Sequence, residues 1–203
     1  MHAAVAQLLA GESVLGASAL PLAKRAALDA ALDPKIRGSL LTAIAQAPGQ
    51  PALDAATEVF AQLNPVAAVT VTGASVATAS PAAPAAAASA VTPAATPAAA
   101  SDPVEAAWRR FVGDRRRMTE LDYFVTMAKS APPAQRTLAY AVLLQSIRSP
   151  RVPAAVREKV TPVIDSAWTD AASTPSLVQA VNVMHLEGQY GDKLATYGKR
   201  QGR

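Results

Sequence analysis

The residues with the clearest chemical potential are five arginines that lie close together in the chain: Arg109, Arg110, Arg115, Arg116 and Arg117. A guanidinium group forms paired hydrogen bonds with phosphates and carboxylates, so the cluster predicts a surface for a polyanion or an acidic protein. Trp108 and Phe111 lie nearby, but their helical spacing predicts burial, which would prevent them from stacking on nucleic-acid bases. The alternative interpretation is a solvated face on which the arginines pair with nearby carboxylates.

Catalytic chemistry has little support in the sequence. The chain has no cysteine, and its two histidines are His2 and His185, which argues against thiolate nucleophiles, disulfides and multi-histidine metal sites. Several serines precede His185, but none lies in a nucleophile motif. Glu120 and Asp122 are two residues apart on a predicted helix and point in different directions, so they cannot act as a carboxylate pair. We therefore predict no enzyme activity, no metal, no cofactor and no small-molecule substrate.

The distribution of charge and proline divides the 203 residues into segments. Residues 1–64 have a net charge of −1, residues 65–101 have no charged side chain, and residues 102–203 have a net charge of +5. The segment 65–103 consists largely of Ala, Pro, Ser, Thr and Val, a composition that favours a disordered or extended linker. We predict a helical unit over 1–64, a linker over 65–103, a helical unit over 104–188 and a basic tail over 189–203.

Both units are predicted to be α-helical, so the fold class is all-α. Apolar residues recur at helical spacing after Pro34, after Pro51 and after Asp102-Pro103, where an aspartate cap and a proline mark a helix start. Ala3–Ala10 is a further short candidate, Pro162 either kinks or restarts a helix, and Gly188 suits the end of another. The proline spacing in the linker argues against a membrane span.

Two helix starts share a pattern. Asp33-Pro34-Lys35-Ile36-Arg37 and Pro153-Ala154-Ala155-Val156-Arg157 both place proline, an apolar residue and arginine at the entry to an amphipathic helix. This pattern resembles the start of HEAT-type helical repeats. The resemblance implies stacked helix pairs that expose a binding groove rather than an active site.

These observations predict a non-catalytic subunit that binds protein partners in a larger assembly, with its two units engaging separate sites through the linker. One alternative is nucleic-acid or polyanion binding through the arginine cluster. Another is an accessory helical-repeat domain of an exported bacterial protein. The chain shows no signal peptide, which favours the cytoplasm, although a mature form of a periplasmic protein would also lack one.

Overall fold

The regular structure of the protein is entirely helical wherever it is described. The computed structural model describes residues 16, 18–63, 102–115, 118–148 and 151–201. Within these ranges the chain forms nine α-helices and no strand: α1 Leu20–Leu28, α2 Pro34–Gln46, α3 Gln50–Gln62, α4 Pro103–Asp114, α5 Met118–Ser130, α6 Pro133–Ile147, α7 Ala154–Ala167, α8 Thr174–Val183 and α9 Glu187–Gln201. The all-α prediction is confirmed. The predicted helix at 3–10 and all but the last two residues of the predicted linker lie outside the described residues.

Aspartate and proline start two of the helices, as the sequence predicts. The Asp33 carboxylate accepts a hydrogen bond of 2.8 Å from the backbone N–H of Lys35, and Pro34 is the first residue of α2. Asp102 caps α4 in the same way, with 3.0 Å between its carboxylate and the N–H of Val104. Each cap satisfies a backbone donor that has no partner inside its helix.

Helix α6 lies at the centre of the molecule. It contacts α3, α4, α5, α7 and α8, and every residue from Thr137 to Leu144 is buried. A helix that is buried on all sides is apolar around its whole circumference rather than along one stripe. The hydrophobic core is therefore built around α6, and α3, α4, α5, α7 and α8 pack on it.

Helices from both sides of residues 64–101 share this core. Helix α2 packs on α4, and α3 packs on α6. The rings of Phe60 on α3 and Phe111 on α4 are stacked, with centroids 4.5 Å apart and planes inclined by 15°. The sequence predicts two units joined by a linker, and it does not predict that they pack on each other. The boundaries of the two units remain predictions.

Helices α2 and α4 run side by side in the same direction. Gly38, near the start of α2, lies against Pro103 at the start of α4, and Arg115, just after α4, donates to the carbonyl of Ala45 near the end of α2. A Cβ atom on Gly38 would lie 2.8 Å from the Pro103 Cβ and 2.9 Å from its carbonyl oxygen. Glycine at position 38 is thus a condition of this close approach.

The end of α8 differs from the prediction. Helix α8 ends at Val183, and His185 adopts a left-handed conformation with φ 52°, so Gly188 is not the helix-ending residue. The N–H groups of Leu186 and His185 donate to the carbonyls of Val181 (3.0 Å) and Asn182 (3.1 Å), the two hydrogen bonds of a Schellman motif.

The segment predicted as a basic tail is helical. Helix α9 extends over Glu187–Gln201 with a kink at Tyr190, whose ring packs on Trp168 with 5.7 Å between centroids. Upstream, α7 continues through Pro162 as one helix from Ala154 to Ala167. No helix in the described part of the chain is both long and apolar enough to cross a membrane.

Candidate functional site

The arginine cluster begins on the solvent-facing side of α4. Trp108 and Phe111 are buried in the core, as their spacing predicts. Arg109 and Arg110, which occupy the opposite side of the helix, are exposed. The site is therefore defined by what each arginine contacts, and these contacts differ within the cluster.

Arg109 pairs within its own helix. Its Nη2 and Nε atoms donate to Oε1 of Glu105 one turn earlier, at 2.7 Å and 3.1 Å. The Arg109 side chain is still 59% exposed. An exposed pair at this spacing contributes only a few tenths of a kcal/mol, roughly 0.3–0.5, so Arg109 can exchange Glu105 for another anion at small cost.

Arg115 has a structural role. Its guanidinium donates to Glu120 at 3.0 Å and to the carbonyl of Ala45, and its Cζ lies 4.6 Å from the centroid of the Phe111 ring. Only 14% of the side chain is exposed. Arg115 thus joins α2, α4 and α5, and it is not available to a partner without loss of these contacts.

The remaining arginines of the cluster differ again. Arg116 and Arg117 lie outside the described residues. Arg110 is exposed, and it forms no ion pair with any residue that the structure describes. Of the three described positions, Arg110 is the one whose charge is fully open to a ligand.

Arg110 lines an open groove between α2 and α4. One part of this groove has a volume of about 560 Å³, and a second part of about 410 Å³ continues it toward Arg115. The two parts share Thr42, Gln46, Ala107 and Arg110. We call this continuous surface the α2/α4 groove.

Each wall of the groove is one face of a helix. The α2 wall is formed by Lys35, Ser39, Thr42 and Gln46, and the α4 wall by Pro103, Ala106 and Arg110. Spacings of three and four residues place side chains on one helical face. Between the walls lie three small buried residues: Gly38, Ala43 and Ala107. The close approach at Gly38 therefore also determines the width of the groove.

The groove is polar and positively charged. Lys35, like Arg110, has no ion-pair partner among residues 18–63 or the other described ranges. Two carboxylates line the second part of the groove: Glu120, which is paired with Arg115, and Asp114, one helical turn after Arg110, which forms no ion pair with a described residue. Ser39 and Gln46 add hydroxyl and amide donors. The surface offers hydrogen-bond donors and two cations to an anionic ligand.

The serines that precede His185 have structural partners. Ser173 donates to the carboxylate of Asp170, a bond that holds the pKa of Asp170 below its usual range. Ser176 donates to the carbonyl of Pro133 at 3.3 Å. His185 is exposed at the end of α8. The Ser176 hydrogen bond connects α8 to α6, the Ser173 bond lies just before α8, and His185 follows its end.

Tyr123 lines a separate cavity of about 390 Å³ on α5. Burial is the main reason that the pKa of Tyr123 rises to about 12, and its hydroxyl group also interacts with Thr57 and Asp54 on α3. The tyrosine is thus a protonated link between α5 and α3 at neutral pH. No three His, Asp or Glu residues in the described ranges are grouped in a way that could hold a metal ion.

The arginine cluster predicts Arg110, on the α4 wall, as a binding residue, but the sequence does not indicate that the α2 wall belongs to the same site. The spacing of Lys35, Ser39, Thr42 and Gln46 is visible as the polar face of a predicted helix. Nothing local indicates that this face lies beside α4, because the two helices are separated by more than fifty residues. The polar face of α2 could therefore be recognised from the sequence, but its position beside α4 could not.

Comparison with known proteins gives no match: no protein-family model, curated protein or solved structure matches this chain significantly.

Proposed function

We propose that this protein is a non-catalytic module that binds another protein within a larger assembly. The observation that carries the proposal is the α2/α4 groove. Small-molecule sites enclose most of their ligand and are lined mainly by apolar and aromatic side chains. This groove is open, and exposed polar or charged residues such as Lys35, Ser39 and Arg110 form its walls. Such a surface suits a segment of polypeptide better than a small substrate.

The rest of the described surface is consistent with this role. Large apolar side chains are nearly all buried, and the strongly exposed exceptions among the described residues are Leu22 and Met118. A surface without a large apolar patch is typical of partners that associate through polar contacts and can also exist apart. The sequence predicts that two units bind separate sites on the assembly. Because the two segments share a core, we propose that a single body binds these sites through more than one of its faces.

A photo-crosslinking experiment tests the proposal. We would place benzoylphenylalanine at Ala106, on the exposed groove wall, and at Ala195, which is exposed on α9, and irradiate each full-length variant in lysate of the source organism. We expect a discrete protein adduct at position 106 and not at 195. The adduct partner, once purified, should bind the unmodified chain. Failure of both positions to form any adduct, together with an empty native pull-down, would contradict the proposal.

Polyanion binding is the second candidate, and the exposure of Arg109 and Arg110 favours it. Neutralising phosphates releases counterions, so such binding weakens steeply with salt. We would measure binding of a fluorescent 20-nucleotide single strand at 50 mM and 200 mM salt. A nanomolar complex that weakens by orders of magnitude and is lost in Arg109→Glu and Arg110→Glu would support polyanion binding over protein binding. Arg25→Glu, an equal charge change on α1, is the control.

A further inference from the structure

We propose that the α2/α4 groove binds an extended acidic segment of a partner protein, with Lys35 and Arg110 each pairing with a carboxylate. This inference rests on the proposed protein-binding function and identifies the chemistry of the partner. It depends on the shape of the groove, on its charge and on the donors along its walls.

The length of the groove fits a short extended peptide. The α2 wall from Lys35 to Gln46 covers three helical turns, about 16 Å at a rise of 1.5 Å per residue. An extended strand advances about 3.3 Å per residue, so about five residues span the wall. The open volume of about 560 Å³ above the closely packed residues Gly38, Ala43 and Ala107 leaves room for a backbone and short side chains.

The charge of the groove selects carboxylates. Lys35 and Arg110 line the first part of the groove, and no acidic residue lines it with them. The nearby carboxylates of Asp33 and Asp102 are occupied as caps of α2 and α4. Lys35 also lies in the first turn of α2, where the helix dipole adds to its positive potential. Lys35 and Arg110, neither of which forms an ion pair with a described residue, therefore complement an acidic ligand in this part of the groove.

The walls also suit a peptide backbone. Ser39 and Gln46 carry donors that can bind backbone carbonyl groups. Thr42 already donates to the carbonyl of Gly38 at 2.9 Å, which leaves its oxygen as an acceptor for a peptide N–H. Phe111, the aromatic residue among the described residues that line the groove, is buried. An acidic peptide can therefore use all these groups, whereas a nucleic acid strand would lack exposed rings for its bases.

Binding to a peptide array tests the proposal. The probes are fluorescent eight-residue Ala/Gly peptides with two glutamates separated by one to six positions, and the same peptides with glutamine. We expect the glutamate peptides to bind the full chain at 50 mM salt, with an optimum separation, and the glutamine peptides to bind at least about tenfold more weakly. A 20-nucleotide strand is included on the same plate.

Charge reversal locates the binding surface. We expect Lys35→Glu and Arg110→Glu each to weaken binding about tenfold, because the attraction of an exposed ion pair becomes a repulsion of similar size. Lys129→Glu makes the same charge change on α5, away from the groove, and should alter binding less than twofold. The double variant should bind peptides with two lysines in place of glutamate, a gain that misfolding cannot produce. Circular dichroism confirms that each variant is folded.

Three results would overturn the inference. Glutamate peptides that bind equally well to Lys35→Glu and Arg110→Glu would leave a protein-binding function in place but remove the groove as its site. An oligonucleotide that outcompetes every peptide at the groove would identify a nucleic acid instead. Absence of binding by all peptides, in a chain whose crosslinked partner still binds, would show that the partner is not recognised through carboxylates.

Discussion

Gly38 determines how closely α2 and α4 approach each other. Alanine would bring a Cβ to 2.9 Å from the carbonyl oxygen of Pro103, and backbone cannot yield as a flexible side chain can. We expect Gly38→Ala to destabilise the protein by about 1–2 kcal/mol, because overpacking of about 1–3 kcal/mol exceeds the gain of about 1 kcal/mol in helix propensity. Urea unfolding monitored by circular dichroism measures the difference.

A glycine in open space provides the control for this prediction. Nothing lies within 4 Å of a Cβ on Gly198, in α9, so Gly198→Ala should raise stability by about 0.5–1 kcal/mol. If Gly38→Ala is equally stabilising, the contact with Pro103 does not exist in solution.

His185 adopts an energetically unfavourable backbone conformation that glycine would adopt without this penalty. Its φ of 52° is unfavourable for a residue with a Cβ atom, by about 1–2 kcal/mol. We expect His185→Gly to stabilise the protein by about 0.5–1 kcal/mol after the larger unfolded-state entropy of glycine is counted. His185→Ala, which removes the imidazole and retains the strain, should give no gain. Stabilisation by both substitutions would instead assign the cost to the side chain.

At the scale of helices, the aromatic contact between Phe60 on α3 and Phe111 on α4 is a link between the two halves of the chain whose energy can be measured. The stacked rings of Phe60 and Phe111 predict a coupling energy of about 0.5–1.5 kcal/mol in a double-mutant cycle. We would use Phe60→Leu and Phe111→Leu, because these conservative changes should keep the protein folded, and measure urea unfolding of all four proteins.

The control cycle pairs Phe60→Leu with Leu177→Val. Leu177 is buried on α8, and α8 packs on α6, α7 and α9 rather than on α3. We expect these two effects to add within about 0.3–0.5 kcal/mol. If the effects of Phe60→Leu and Phe111→Leu on the free energy of unfolding also add, the two halves do not pack together in solution.

Local signals explain which helices could be predicted from the sequence. Asp33-Pro34 and Asp102-Pro103 act on backbone donors within two residues, so both helix starts were evident. The end of α8 was misplaced because a left-handed histidine performs the function usually assigned to glycine. The α2–α4 pairing depends on contacts between distant residues such as Ala45 and Arg115, for which no local pattern exists. For the same reason the sequence predicts only part of the binding site: it indicates Arg110, which belongs to the arginine cluster, but not Lys35, which joins the site through the α2–α4 pairing.

At the scale of the whole molecule, the shared core predicts that the two halves of the chain stay associated after the connection between them is cleaved. We would insert a protease site within residues 85–88 and cleave the folded protein. Because α2 packs on α4 and α3 on α6, the two fragments should co-elute in size-exclusion chromatography and separate in denaturant. The uncut protein gives the reference elution volume. Separate elution of the fragments under native conditions would favour two independent units instead.

The position of α6 also has a consequence for synthesis on the ribosome. Phe111 follows Phe60 by about fifty residues, and α6 follows later still. At about 5–20 residues per second, several seconds pass between translation of α3 and translation of the helices that cover it. Among the described helices, α1 is the one already made that the apolar faces of α2 and α3 can contact besides each other during that interval. The nascent chain is therefore most exposed to aggregation, and most in need of a chaperone, before its central helix has been made.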